Sequence, residues 1–245
     1  MKQEKTEAFK ELVRAMSKKG ARTVVFTGAG MSTDSGLPDF RSKGGVWTKV
    51  DPMELATASA MRGNYERFHE FYAFRFEQMR DAKPNEGHKI LADWENRGLV
   101  QCIVTQNVDG LHAAAGSRTI YELHGSVGKV RCMDCGAPST QEAFIAGERC
   151  TFCGGRLRPG VVLFGEGLPM EVLDASWRAS EEADVFIVLG SSLQVSPANQ
   201  LPEEAKRAGA FLAICNRDIT PLDALADYRT DEGIGDFLRE LDACL

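Results

Sequence analysis

Four short apolar runs in this chain each stop at small or polar residues, and that recurring boundary limits the possible fold more than any other feature. Thr23–Thr27 leads into Gly28-Ala-Gly-Met-Ser32, and residues 100–105 lead into Gln106-Asn-Val-Asp109. Val185–Leu189 leads into Gly190-Ser-Ser192, and residues 210–215 lead into Asn216. Residues 120–124 and 161–164 read as two more strands. Helical stretches separate several of these runs: one around Phe9, Leu12, Val13 and Met16 that Gly20 ends, one at 85–97 and one at 202–208. Short buried strands alternating with helices predict an α/β fold, a Rossmann-like parallel sheet with helices on both faces. Ligands bind such open sheets at the carboxyl ends of the strands, so the polar boundaries predict one shared crevice.

Two segments break the alternation. Residues 44–87 carry a helical pattern and no strand, and residues 125–159 carry two Cys-x-x-Cys pairs, several glycines and little periodicity. They read as a small domain made of a helical module and a zinc-binding module. Residues 1–43, 88–124 and 160–245 then form the Rossmann-like domain. A length of 245 residues suits this arrangement. The net charge of −6 argues against a nucleic-acid partner held through phosphates. No apolar stretch is long enough to span a membrane. The polar start, Met1-Lys-Gln-Glu-Lys-Thr-Glu, has no apolar leader core, and seven cysteines cannot all pair, so a cytoplasmic protein is expected.

Three constellations point to chemistry. Gly28-Ala-Gly30 follows a strand, where glycines let backbone N–H groups approach a pyrophosphate; it also suits a plain tight turn, since Thr33 stands where the dinucleotide fingerprint has its third glycine. Cys132, Cys135, Cys150 and Cys153 supply four thiolates, a closed tetrahedral set that makes a zinc ion structural rather than catalytic. Two redox pairs or buried free thiols are the other readings. His124 ends a strand beside the other polar clusters, whereas His88, His112 and His69 read more readily as structural. In the helical insertion, Arg75 interrupts the apolar stripe of Phe68, Phe71, Tyr72, Phe76 and Met79. It needs an internal carboxylate, an exit to solvent, or a negatively charged substrate group.

Together these motifs resemble the sirtuins, NAD-dependent protein lysine deacylases, from about residue 20 to the C-terminus. The resemblance is carried by Gly28-Ala-Gly-Met-Ser-Thr-Asp-Ser-Gly-Leu-Pro-Asp-Phe-Arg41, Thr105-Gln-Asn-Val-Asp-Gly-Leu-His112 and Leu123-His-Gly-Ser126. The paired Cys-x-x-Cys knuckles, Arg158-Pro-Gly-Val-Val-Leu-Phe-Gly-Glu166, Leu189-Gly-Ser-Ser-Leu-Gln-Val195 and Asn216 follow in the family's order. Val108 and Ser191 stand where isoleucine and threonine are frequent, both conservative changes.

The resemblance implies an NAD co-substrate, one structural zinc and an acyl-lysine protein or peptide substrate; it does not set the oligomeric state. It implies that Gly28, Ala29 and Gly30 cradle the pyrophosphate, with Phe40 and Arg41 on the mobile loop that covers the cofactor and Thr33 among the cofactor-binding residues. Ser191, Ser192 and Asn216 would hold the adenosine half, with Gly190 and Ile234 in the same cofactor set. Gln106, Asn107, Val108 and Asp109 would shape the ribose and nicotinamide pocket. His124 is implied as general base and Asn107 as its catalytic companion; an imidazole suits that role because its pKa lies near working pH. The substrate would add as a strand between residues 162–166, including Val162, Phe164, Gly165 and Glu166, and the segment ending at Val195. Tyr72 and Arg75, with Ala56 upstream, are similar to the branch that removes succinyl and malonyl groups. An ADP-ribosyltransferase or NAD hydrolase on the same scaffold, and a silent NAD- and zinc-binding module, are the competing functions.

Overall fold

The structure, a computed structural model, describes residues 6–48 and 51–245; Met1 to Lys5 of the polar start lie outside them. The chain opens with helix α1 (Glu7–Met16), whose Thr6 side chain accepts the Phe9 N–H as an N-cap. Strand β1 (Thr23–Thr27) follows and lies at the middle of a parallel sheet. Its neighbours are β2 (Cys102–Thr105) and β7 (Val185–Leu189), and all three strands are buried at every residue. With β3 (Ile120–Glu122), β8 (Phe211–Cys215) and β9 (Tyr228–Thr230) the strand order is β3-β2-β1-β7-β8-β9.

Side chains alternate between two cores, as the pleat requires. Val25, Ile103 and Ile187 face α1, α5 (Glu86–Asn96) and α10 (Ile234–Asp242) through Leu12, Leu91, Trp94, Phe237 and Leu241. Val24, Phe26, Val104, Phe186 and Val188 face α8 (Met170–Glu181) and α9 (Gln200–Arg207). Burial on both faces explains why these strands read as unbroken apolar runs.

The two insertions share a third core. Phe68, Tyr72 and Phe76 of α4 (Tyr65–Arg80) pack against Val127, Val130, Phe144, Leu157 and Val161. The expected parallel strand at 161–164 is not formed. Instead β6 (Leu157–Val161) pairs antiparallel with β4 (Gly125–Cys132) in a small sheet completed by β5 (Pro138–Ser139). Residues 162–164 run on as extended backbone, and Phe164 bridges to Thr57. The apolar run marks only the end of β6, at Val161, because Arg158, Pro159 and Gly160 are poor strand formers and hide the rest of it. β4 escaped notice because its register shifts between Ser126 and Val130, which breaks the two-residue period. No described helix is long and apolar enough to cross a membrane.

The turns after β1 and β7 meet backbone to backbone. A Cβ on Gly28 would lie 2.7 Å from the Gly190 carbonyl oxygen, and one on Gly30 would lie 2.7 Å from the Gly190 Cα. Gly190 itself has φ of 62°, and its Cβ would come within 2.5 Å of the Met31 nitrogen. Replacing Gly190 by alanine is therefore expected to cost about 2 kcal/mol or more from backbone strain and collision together. A urea midpoint equal to wild type would show that the two turns can move apart.

Candidate active site

A cleft of about 610 Å³ opens at the carboxyl ends of the strands. It is lined by Gly28, Ala29, Gly30, Thr33, Phe40, Arg41, Gln106, Asn107, Val108, Asp109 and His124. Gly190, Ser191, Ser192, Asn216 and Ile234 line it from β7, β8 and the start of α10, and Tyr72, Arg75, Val162, Phe164, Gly165, Glu166 and Val195 complete its wall. Every cleft residue singled out in the sequence meets here.

The side chains that follow β2 are held from below. The Asn107 amide donates to the Gly28 carbonyl (3.0 Å) and the Ser32 hydroxyl (3.2 Å), while its backbone N–H donates to Thr105 Oγ1 (3.0 Å). Ser32 in turn donates to Asp109 Oδ2 (2.7 Å), whose other oxygen accepts the Leu111 N–H (2.9 Å). With both amide hydrogens engaged, Asn107 keeps its oxygen as the remaining acceptor. Gln106 donates to Ser191 Oγ (2.7 Å) and ties the ends of β2 and β7 together.

His124 is fixed through one nitrogen. Its Nδ1 lies 3.0 Å from the Gln106 carbonyl, which can only accept, so Nδ1 carries the proton and Nε2 keeps the lone pair. Burial lowers the imidazole pKa and outweighs the opposing hydrogen bond from Gln106, so the ring is neutral at neutral pH.

Beneath this floor lies a chain that sequence reasoning missed. His112 Nε2 donates to Thr27 Oγ1 (3.0 Å), and Thr27 donates to Thr105 Oγ1 (2.8 Å), which also accepts the Asn107 N–H. Burial pushes His112 down to about 3, and His88, whose ring centroid lies 4.8 Å away, down to about 4. Both stay neutral. The two threonines sit at the ends of β1 and β2, where a buried hydroxyl in an otherwise apolar strand was the available signal.

The helical insertion contributes a buried cation. Arg75 is 6% exposed, and among the described residues no carboxylate lies within ion-pair distance of it. Its guanidinium stands 5.5 Å from the Phe40 ring centroid and donates to Gln78 at 3.3 Å. Neither the internal carboxylate nor the exit to solvent is found. Burial disfavours its charge, which Tyr72 and Asp109 partly offset, and burial raises the Tyr72 phenol. By contrast Arg158, equally buried, is ion-paired: it holds Glu166 through two bonds of 2.6 and 2.9 Å and donates to the Val161 and Pro159 carbonyls at 2.7 and 3.3 Å. Desolvation would raise Glu166, but Arg158 and the Leu163 N–H hold it below the ordinary carboxylate range. The Glu166 carboxylate therefore shapes the 162–166 segment from within.

Away from the cleft, the Sγ atoms of Cys132, Cys135, Cys150 and Cys153 lie within 4.8 Å of one another. The Cys132–Cys153 and Cys135–Cys150 sulfur separations are 3.5 and 3.6 Å. A tetrahedral zinc with bonds of about 2.3 Å needs edges of about 3.8 Å, so the cluster fits that ion.

The Sir2 family pattern matches residues 28–197, more than half the chain. This protein belongs to the Sir2 family. It is 54% identical over 221 residues to the NAD-dependent protein deacetylase 1 of Geobacillus kaustophilus (strain HTA426), covering 89% of this chain and 91% of that one. It is 43% identical to the NAD-dependent protein deacylase 1 of Archaeoglobus fulgidus, covering 89% and 90%. Among solved structures, a Sir2 homologue bound to NAD superposes with a TM-score of 0.89 at 40% identity, covering 96% and 95%. A Sir2 complex with a deacetylated p53 peptide and 3′-O-acetyl ADP-ribose superposes with a TM-score of 0.91 at 36% identity, covering 96% and 97%. With coverage of 95% or more on both chains, the likeness extends over the parallel sheet and the small sheet together.

The zinc reading is checked by Cys150→Ser. Bound zinc, measured by atomic emission, should fall from about one ion per chain to near zero, with a lower unfolding midpoint. Unchanged metal content and stability would remove the ion from the fold.

Proposed function

We propose that this protein is an NAD-dependent protein lysine deacylase that releases nicotinamide and O-acyl-ADP-ribose. The observation that carries it is His124: a neutral imidazole with Nδ1–H anchored to Gln106, so that Nε2 is a free base in a cleft whose rim is backbone glycine. Gly28, Gly30 and Gly190 line the cleft without side chains, because any Cβ there would meet the backbone of the facing turn, and such a rim suits a pyrophosphate. When bound there, NAD supplies an electrophilic ribose carbon with nicotinamide as its leaving group.

The chain's own residues then have separable tasks. Gly28, Ala29, Gly30 and Thr33 hold the phosphates, with Phe40 and Arg41 covering them. Ser191, Ser192 and Asn216 take the adenosine half, beside Gly190 and Ile234. Asp109 orients the carboxamide and Asn107 offers its amide oxygen beside the reacting ribose, with Gln106 and Val108 closing the pocket. His124 takes a ribose hydroxyl proton at Nε2, aided by the low-dielectric surroundings that keep it unprotonated. Cys132, Cys135, Cys150 and Cys153 hold zinc as a structural ion.

An acyl-lysine peptide adds as a strand beside residues 162–166. The Phe164 N–H and carbonyl are already bound to Ala56 O (2.9 Å) and the Ala58 N–H (3.2 Å). That leaves Gly165 to pair with the substrate on the open side and Val195 to face it across the groove. Backbone pairing selects weakly among sequences, so acyl choice falls to the pocket. There the unpaired Arg75 guanidinium, with Tyr72 on the same helix face, supports a dicarboxylic acyl group such as succinyl. We also infer the two-unit organisation drawn from the sequence, 1–43, 88–124 and 160–245 against 44–87 and 125–159, supported by the separate core of the insertions; β6 joins the units across residue 159.

The test is one lysine peptide in acetyl, succinyl and unmodified forms, incubated with NAD and followed by mass spectrometry. Nicotinamide in step with deacylated peptide is expected, while nicotinamide without deacylation would favour the transferase or hydrolase. His124→Ala should abolish deacylation yet retain ADP-ribose binding by calorimetry. In wild type the acidic limb of kcat/KM should lie below the free imidazole value of about 6.5, because the lowered pKa keeps the base form at lower pH. A limb above that value would contradict the assignment. Arg75→Met should lower the succinyl-to-acetyl ratio of kcat/KM by about ten-fold or more, the scale of a lost charged hydrogen bond. Equal losses on both substrates would make Arg75 a structural cation.

A further inference from the structure

The loop after β8 wraps around an arginine that none of the family motifs contains. Arg229 lies on β9 beside Ile214, and its Nη2 lies 3.2, 3.5 and 3.3 Å from the carbonyl oxygens of Asn216, Arg217 and Asp218. Its Nε donates to Asp223 Oδ2 at 3.2 Å, and Asp231 lies 3.9 Å from Nη1. Asp223 is itself held by the Thr220 hydroxyl. One planar guanidinium, anchored from outside the loop, thus gathers three consecutive carbonyls. A flexible ammonium could not span this set.

The consequence follows from peptide geometry. A trans peptide directs its C=O and the next N–H to opposite sides. With the carbonyls turned toward Arg229, the N–H groups of Arg217 and Asp218 project away from it, and neither has an acceptor among the described residues. Asn216, Arg217 and Asp218 all line the cleft. The Asn216 Nδ2 is engaged with the Asp218 carbonyl at 2.8 Å, which leaves its Oδ1 as an acceptor. The loop therefore presents two donors and one acceptor together, a set matched to a vicinal diol, whose hydroxyls both donate and accept.

We infer that Arg229 is a positioning residue that holds the 216–218 loop in the shape that recognises the ribose diol of the adenosine half of NAD. This deepens the proposed function and rests on its placing of the adenosine at Asn216. Arg229 does not touch the ligand; it acts through the loop.

Arg229→Met keeps the aliphatic stem and removes every donor. It should weaken ADP-ribose binding, read by calorimetry, and raise KM for NAD by about ten-fold, the scale of about 1.4 kcal/mol. The KM for acyl-peptide, the zinc content and kcat at saturating NAD should stay within about two-fold. Arg229→Lys should fall between the two. A merely structural arginine would lower the unfolding midpoint and leave ADP-ribose affinity unchanged in the folded variant, and that result overturns the inference. So does an equal rise in KM for NAD and peptide. If Arg229→Met does not fold, Asp223→Asn, which removes the outer anchor, should shift ADP-ribose affinity in the same direction by about three-fold, and no shift counts against Arg229. Calorimetry needs no turnover. Loss of ADP-ribose affinity in Arg229→Met therefore upholds the inference even if wild type deacylates nothing, the result that overturns the deacylase reading alone.

Discussion

The backbone of the turn after β1 is pressed against the backbone of the turn after β7, and the geometry of the cleft descends from that contact. The Gly28 N–H donates to the Leu189 carbonyl, and the Gly30 N–H donates to the Gly190 carbonyl, both near 3 Å. No side chain can separate them, because Cβ atoms at 28, 30 or 190 would overlap main chain. The distance between the two turns is therefore set by backbone alone, which few substitutions can adjust. Asn107 then reads that position, since its amide donates to the Gly28 carbonyl, and His124 reads it at one remove through the Gln106 carbonyl.

The two buried arginines separate support from recognition. Arg158 has its charge paired with Glu166 and donates as well to the Pro159 and Val161 carbonyls, so it stiffens the 162–166 segment. Among the described residues Arg75 has no ion-pair partner: it faces a weak amide bond and an aromatic ring, with Tyr72 and Asp109 acting on it from further off. A guanidinium over Phe40 gains about 1 kcal/mol, well short of a buried charge's desolvation cost. The imbalance is tolerable because the cleft beside it admits water or an anion, and it couples the helical insertion to the 38–46 loop that carries Phe40.

Much of this was legible in the sequence because strands buried on both faces and glycines forced by backbone contact leave strong local marks. The three central strands, the turns after them and the four cysteines belong to that class. β6 did not, since Arg158, Pro159 and Gly160 are poor strand formers held in place by pairing with β4 and by the Arg158–Glu166 bridge, contacts that no local pattern encodes. The threonine–histidine chain under Asn107 was invisible for a related reason. Thr27 is distant in sequence from Thr105 and His112, and each alone reads as an ordinary residue; only the adjacency of β1 and β2 makes them one hydrogen-bonded unit. Arg229 is the clearest case, because beside Asp223 and Asp231 its partners are main-chain carbonyls, which carry no residue signature at all.

The distribution of these features suggests why recognition and chemistry sit on different parts of the chain. Groups that move protons or approach the phosphates stand at ends of parallel strands, where the ladder fixes backbone position and neighbouring strands share register. His112 and His88, held neutral by burial, place no imidazolium beneath these groups near physiological pH. The groups proposed to choose the acyl chain stand on α4, packed on the small core of Phe68, Phe76, Phe144 and Leu157. Side chains there can be exchanged without disturbing the β1–β7 contact. On the proposed function, a change at position 75 would alter which acyl group is held, whereas a change at position 190 would alter whether there is a cleft in which to hold it.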